Sequence, residues 1–438
     1  MRDQLLNQAR DAVKSALRAG ADDAVASVSW GRSVEFKWRD RKLEKVQEDT
    51  SRALGIALYV DGRYSAHSTN DLDGERLSTF VADAVDLSRA LEPDEYRKIT
   101  PPELYEGRPD TALDLVDPSL AELSREQRIQ WCRDMEAESI DHADVVSTTT
   151  GVGDSYGVAA LCSSNGFEGV REGTSVAYGA EVTLREGENR RPEAWWWVGA
   201  NHREGLPEPA AVGREALRRG LARLGSTRGP SKRTVMVVDR EGGASLLGRL
   251  LGALSAGSIQ QKRSFLADKM GEQIASGGLS ISDQPLLPRA GGSRHFDSEG
   301  IAARPMSILE DGVVKSFYVD TYYGRKLGMA PTTGSSSNII VGLGEMDADA
   351  LVAEVGEGIY VTSWLGGNAD GTTGDFSFGV RGHLIEGGKL AAPVEEMNVS
   401  GNFLDLFSRL ALVGNDPVPW SSYRVPTLVF EDVQFSGS

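Results

Sequence analysis

The tightest constraint on this chain is a recurring pattern of alternating apolar and polar residues that reverses at a glycine turn. LGIALYV-DG-RYSAHS turns at Asp61-Gly62, ILEDGVVKSFYV at Asp311-Gly312, and HLIEGGKLAAPV at Glu386-Gly387-Gly388. Such residues supply the positive φ that a tight hairpin needs, and period-two alternation buries one face of a strand. With 50 glycines in 438 residues, the pattern predicts a strand-rich chain with many close reversals. That length exceeds one average core, so two or three domains are expected.

Helical spacing interrupts the strands at regular places. Leu6, Ala9, Val13 and Leu17 recur at helical period before Gly20, and Val34, Phe36 and Trp38 then alternate as a strand does. A second helical run carries Leu77, Val81, Ala84 and Leu87, which makes residues 1–92 a helix-sheet-helix domain. Residues 93–118 hold Pro93, Pro101, Pro102, Pro109 and Pro118 with many charges and little periodicity, as a linker would. Ser124 and Gln127 have the spacing of a capping box, opening a helix through Ile129, Cys132 and Met135. Strands are predicted at Val145–Thr150, Gly157–Ser163 and Ser175–Leu184, with a turn at Asn165-Gly166 and a closing helix over Pro209–Leu224. Residues 119–228 thus form a middle α/β domain, with no residue-level repeat of the first. Residues 229–438 are glycine-rich short runs and predict a mainly β domain. Its one clear helix lies in VVDREGGASLLGRLLGALSAG, Val237–Gly257. The expected fold class is α+β, a mixed α/β chain.

Charge and composition remove several function classes. A net charge of −17 argues against direct nucleic-acid or anionic-membrane binding, which needs clustered Lys and Arg. The amphipathic N-terminus lacks a signal-peptide core, and no segment is apolar enough to span a bilayer, so cytoplasmic residence is expected. Cys132 and Cys162 have no CxxC partner, which makes a disulfide framework or thiolate cluster improbable.

Catalytic motifs are sparse. The five histidines, His67, His142, His202, His295 and His383, are far apart, and neither HExxH nor HExxxH occurs. There is no GxSxG elbow and no GxxxxGK[ST] phosphate cradle. The acids in His295–Gly300 and Thr373–Ser377 could serve acid-base chemistry. Among 64 acidic residues such placements arise by chance, and a structural or binding role outweighs catalysis. Trp195–Trp197 could stack on a ligand, but consecutive aromatics in a strand face opposite ways, which favours sheet packing or a subunit interface.

Four ordered segments then stand out: LLGRLLGALSAGSIQQKRSFLADKMGE, HFDSEGIAARP, ILEDGVVKSFYVDTYYGRKLGM and GDFSFGVRGHLIEGGKLAAPVEEMNVSGNFLDLF. Together they closely resemble the TldD/TldE (TldD/PmbA) family, over the whole chain in plan and most specifically from Lys232 to Asn415. The resemblance implies a heterodimeric metallopeptidase acting on unfolded or small peptides, including leader segments of ribosomally made peptide products. In the TldD branch a helix early in the third domain carries HExxxH, and a cysteine near the C-terminus completes the metal site. Here that helix reads EGGASLLGRLLGALSAG, no histidine lies between His202 and His295, and Gly414–Gly437 contains no cysteine.

The chain therefore resembles the TldE/PmbA branch, which implies no catalytic residue and no metal ligand here, with zinc held by a TldD-like partner. Glu241 has no adjacent metal ligand to work with; an acid near a helix N-terminus is sufficiently explained by the dipole. Asp297, Glu299, Asp375, Arg381 and His383 lie in the most family-like segments and are the candidate peptide-binding or chamber-lining residues. Exposed strand edges are expected to hold extended peptides by β-augmentation. The competing readings are a stand-alone metallopeptidase with an unsignalled site, using His295 and His383, and a peptide-binding homodimer without catalysis. The older family label of DNA gyrase modulator gains no support, as direct DNA binding, from so acidic a chain.

Overall fold

The computed structural model describes residues 1–437, and its reversals are left-handed pairs. Asp61 and Gly62 have φ of 50° and 75°, Asp311 and Gly312 of 50° and 79°, and Gly387 and Gly388 of 57° and 74°. A further reversal uses no glycine at all: Asp40 and Arg41 sit at φ 46° and 66°. There the Asp40 carboxylate accepts the Thr148 amide at 3.0 Å and the Ser147 hydroxyl, which offsets the strain.

Helix α1 (Arg2–Arg18) leads into β1 (Asp23–Arg39), β2 (Lys42–Val60), β3 (Arg63–Thr69) and α2 (Gly74–Ser88). After the proline-rich segment come α3 (Arg125–Ala137), β4 (Val145–Ser163), β5 (Glu168–Leu184), β6 (Glu193–Ala200) and α4 (Pro209–Leu221). The six strands form one antiparallel sheet in the order β3-β2-β1-β4-β5-β6. Strands β1 and β4 pair from Val25–Ser163 to Arg39–Thr149, so residues 1–92 and 119–228 contribute halves of a single sheet. One face of it is covered, by α1 and α2 at one end and by α3 and α4 at the other.

Two local differences from the sequence reading have physical causes. The buried stripe of α1 is Leu5, Ala9, Ala12, Val13 and Ala16, and Leu17 is exposed; the alanines let the helix axis approach the sheet closely. Strand β4 is continuous from Val145 to Ser163, where two separate strands, Val145–Thr150 and Gly157–Ser163, are expected from sequence. The Trp197 indole lies over Gly151, and a Cβ there would stand 2.7 Å from the ring, so this glycine marks close packing rather than a turn. The capping box forms as expected, with the Gln127 amide donating to Ser124 Oγ at 3.1 Å and the Ser124 amide to Gln127 Oε1 at 2.8 Å.

The C-terminal block begins with β7 (Thr227–Arg228), β8 (Lys232–Val238), α5 (Arg240–Ala253), α6 (Ala256–Gln260) and β9 (Ile281–Asp283). It continues through β10 (Met306–Glu310), β11 (Val313–Val314), α7 (Thr321–Leu327), β12 (Ile339–Val341) and α8 (Ala348–Val355). Last come β13 (Gly358–Ala369), β14 (Asp375–Glu386), β15 (Lys389–Asn402), α9 (Phe403–Ser408), β16 (Leu410–Val413), β17 (Tyr423–Arg424) and β18 (Leu428–Ser436). The larger sheet runs β16-β18-β8-β13-β14-β15-β7, and β15 also pairs with β18, so the strands from β18 to β15 curl into a closed ring. Phe376, Phe378, Phe403, Phe407 and Phe430 fill its core. Helices α6, α7, α8 and α9 are shorter than three turns and left too little periodicity to be read from sequence; Ser255, Asp320, Asp347 and Asn402 cap them.

Residues 93–118 run as a strap along the seam. The Arg325 guanidinium donates to the carbonyls of Tyr96, Lys98 and Ile99, and the Tyr322 hydroxyl donates to Asp94 at 2.7 Å. Among the described residues no helix is long and apolar enough to cross a membrane.

Candidate functional site

Helix α5 starts where β8 leaves the sheet. The Asp239 side chain accepts the Gly242 amide at 2.7 Å and so caps the helix. Leu246, Leu247, Leu250 and Leu251 bury one face in the C-terminal core, while Ser245, Gly248, Arg249 and Gly252 form the exposed stripe. Trp364 of β13 donates its indole N–H to the Gly242 carbonyl at 3.0 Å and packs edge-to-face on Phe378 at 5.6 Å. Between helix and strand lies a cleft of about 200 Å³, lined by Ser245, Leu246, Arg249, Trp364, Gly366, Gly367 and Phe378.

This helix is the one the family resemblance equates with the metal-bearing helix, and its residues do not fit a zinc ion. Zinc takes imidazole, thiolate or carboxylate ligands, and the exposed stripe offers glycine, serine and arginine. Among the described residues no group of three or more His, Cys, Asp or Glu is arranged to hold a metal. Each histidine is taken up by its own hydrogen bond. His67 bonds Ser65 Oγ at 2.8 Å, His142 accepts the Asp144 amide, and His202, His295 and His383 face the carbonyls of Asp114, Thr111 and Ala391. Burial pushes the Cys132 thiol up to about 11, so it stays protonated at neutral pH.

Two acids at the base of α5 are driven apart by their surroundings. Burial pushes the Asp239 carboxyl up to about 7; the nearby Glu241 charge adds to the shift, while the Gly242 amide opposes it. Glu241 lies in the first turn of α5. Burial would raise it too, but the Arg219 guanidinium donates to its oxygens at 2.7 and 2.9 Å and the Trp196 indole at 3.1 Å, holding it below the usual range. Glu241 thus fastens the C-terminal block to α4 and β6. The Trp run alternates accordingly: Trp196 turns to Glu241, and Trp195 and Trp197 are exposed on the other face.

The five sequence-chosen residues are distributed over three places. Asp297 is buried; it accepts the amides of Glu299 and Ile301 with one oxygen and the Thr333 hydroxyl with the other. Glu299 accepts the amide and hydroxyl of Thr321 at 2.9 and 2.6 Å, fixing the start of α7, and burial raises its carboxyl. Asp375 is exposed at the head of β14, where Asn402 and Thr373 hold its carboxyl low. Arg381 and His383 share a face further along β14. Arg381 lies 3.5 Å from Glu395, a carboxylate also paired with Arg190 and Arg223, and burial lowers the His383 imidazole. The structure brings Asp297 to Glu299, and Arg381 to His383, but not the two pairs together. The Arg219–Glu241–Trp196 contact and the Arg249–Trp364 cleft escaped the sequence reading, because their partners come from elements far apart in the chain.

Models of the PmbA/TldA metallopeptidase family match in chain order: domain 1 over residues 24–88, the central domain over 118–224 and the C-terminal domain over 231–437. Metalloprotease PmbA of Escherichia coli O157:H7 is 28% identical over 437 residues, covering 98% of this chain and 96% of that protein. A crystal structure from Bacteroides thetaiotaomicron, named as a proposed modulator of DNA gyrase, superposes with TM-score 0.96 at 38% identity, over 99% of this chain and 98% of that one. TldE from Thermococcus kodakarensis shares the fold, with TM-score 0.85 at 18% identity over 98% of this chain and all of its own (100%).

Proposed function

From the premise that the chain belongs to the PmbA/TldA metallopeptidase family, we propose that it is the subunit without a metal in a TldD/TldE-type peptidase heterodimer. In this reading a TldD-like partner holds the zinc ion, and the complex processes unfolded or small peptides such as leader segments. This chain walls the chamber, shapes peptide access and supports the catalytic subunit. The observation that carries the reading is the exposed stripe of α5. Where a metallopeptidase of this family needs ligands, Ser245, Gly248, Arg249 and Gly252 offer no donor set that could bind zinc and lower the pKa of a water.

Peptide binding has its own support in the sheet. Strand β13 pairs with β8 only from Gly358 to Val361, but with β14 out to Ala369. Beyond Val361 its second edge has no strand partner among the described residues, and bare amide and carbonyl groups there suit an extended peptide by β-augmentation. Asp297, Glu299, Asp375, Arg381 and His383 act in this proposal by holding the loops and seams that shape the chamber.

The test is zinc content and peptidase activity of the chain alone, and again after co-expression with a TldD-like protein from the same source. Zinc and cleavage only in a co-purifying complex are the expected result. Zinc-dependent cleavage by the isolated chain would overturn the proposal, as would failure of the two chains to associate.

A further inference from the structure

We infer that the cleft between α5 and β13 is a carboxylate subsite, in which Arg249 binds the free C-terminal carboxylate of an extended peptide and the cleft takes that residue's apolar side chain. The inference rests on the peptide-binding reading above and names the end of the peptide that this chain recognises.

Arg249 stands at the mouth of this cleft. Among the arginines near α5, Arg219 is engaged with Glu241 and Glu215, Arg223 with Glu395, and Arg240 with the Asp416 carbonyl. Arg249 is exposed at the cleft, and no side-chain hydrogen bond or ion pair joins it to another described residue. In a chain of net charge −17, a guanidinium that no carboxylate has captured can accept an external anion.

The glycines of α5 keep the guanidinium accessible. Gly242 and Gly243 are closely packed, since a Cβ at either would stand 3.1 or 3.0 Å from Val238 or Val425. Gly248 and Gly252 have no such neighbour: a Cβ at either meets nothing within 4 Å. Glycine in a helix interior is disfavoured relative to alanine, and these two leave the helix surface on either side of Arg249 without side chains.

The walls suit one amino-acid residue. Leu246, Trp364 and Phe378 are apolar, and Trp364 is fixed by its bond to Gly242. Gly366 and Gly367 lie at φ 94° and 129°, where the register shifts, and they keep that part of the strand free of side chains. A volume of about 200 Å³ is below that of a drug-sized site and matches a single side chain such as leucine. A peptide paired along the open edge of β13 would reach Arg249 with its terminus, and a planar guanidinium matches a carboxylate bidentately.

The experiment measures binding to the full-length chain by calorimetry. Three N-acetylated peptides are compared: one ending in leucine with a free carboxylate, the same peptide as its C-terminal amide, and an amide ending in glutamate. The free acid is expected to bind at least about tenfold more tightly than either amide. Arg249→Gln should abolish that preference, and Arg249→Lys should keep part of it. Ser245→Leu, at an exposed position that lines the cleft, should weaken binding of the free acid by obstructing it while the thermal midpoint does not fall. Equal binding of acid and leucine amide, or a preference that survives R249Q, would overturn the subsite and leave the peptide-binding reading standing. Tight binding of the glutamate amide would overturn the assignment to the chain terminus. No binding of any peptide would sink both readings.

Discussion

Replacing Asp239 by asparagine should make the protein more stable, and increasingly so as pH rises. Asp239 caps α5 through one oxygen, and asparagine caps a helix as well as aspartate, so the bond to the Gly242 amide survives. What changes is the charge. The enclosed carboxyl is pushed up to about 7, against about 3.9 in an unfolded chain. A carboxyl whose folded value is raised contributes stability that is fully present below the unfolded value and is lost as pH rises through the folded one. At about 1.4 kcal/mol per unit, three units amount to about 4 kcal/mol above pH 8, of which about a third is already lost at pH 5. D239N escapes this loss. Urea unfolding of both proteins at pH 5 and pH 8.5, followed by tryptophan fluorescence, should show the advantage of D239N growing by about 2–3 kcal/mol. An advantage constant to within about 0.5 kcal/mol would mean that the carboxyl is hydrated in the fold, and the argument from burial would be refuted.

The Arg219–Glu241 contact should behave as a coupled pair: E241Q and R219M each destabilise by about 1.5–3 kcal/mol, and the double mutant costs clearly less than their sum. Strict additivity in urea titrations would show that the pair does not fasten α4 to α5. Gly151→Ala should displace the Trp197 indole, costing about 1–3 kcal/mol and changing the near-ultraviolet dichroism. An unchanged spectrum and stability would mean that the ring does not rest on that glycine.

Much of the fold was legible because its signals are local. The left-handed pairs at Asp61-Gly62 and Asp311-Gly312 and the Ser124–Gln127 capping box depend on a few adjacent residues, and each appears where its sequence put it. Reversal at Asp40-Arg41 was invisible because its strain is relieved by Ser147 and Thr148, more than a hundred residues away. Continuity of β4 through Gly151 was hidden for the same reason, since the ring that requires the glycine belongs to β6.

The candidate site divides along the same line. Sequence alone determined that the outward face of α5 carries no histidine, cysteine or carboxylate, because a helix face is a fixed spacing of residue types and no folding can supply ligands that are not there. It also determined the alternation that sends Trp196 one way and Trp195 and Trp197 the other. Only the tertiary structure decided that Glu241 meets Arg219, that Arg249 meets no carboxylate, and that β13 outruns β8 to leave an open edge beside it. Side-chain period and turn geometry are properties of the local backbone. Which charges find partners and which strand edges stay bare depend on contacts between segments distant in the chain, and those exist only once the sheets have closed.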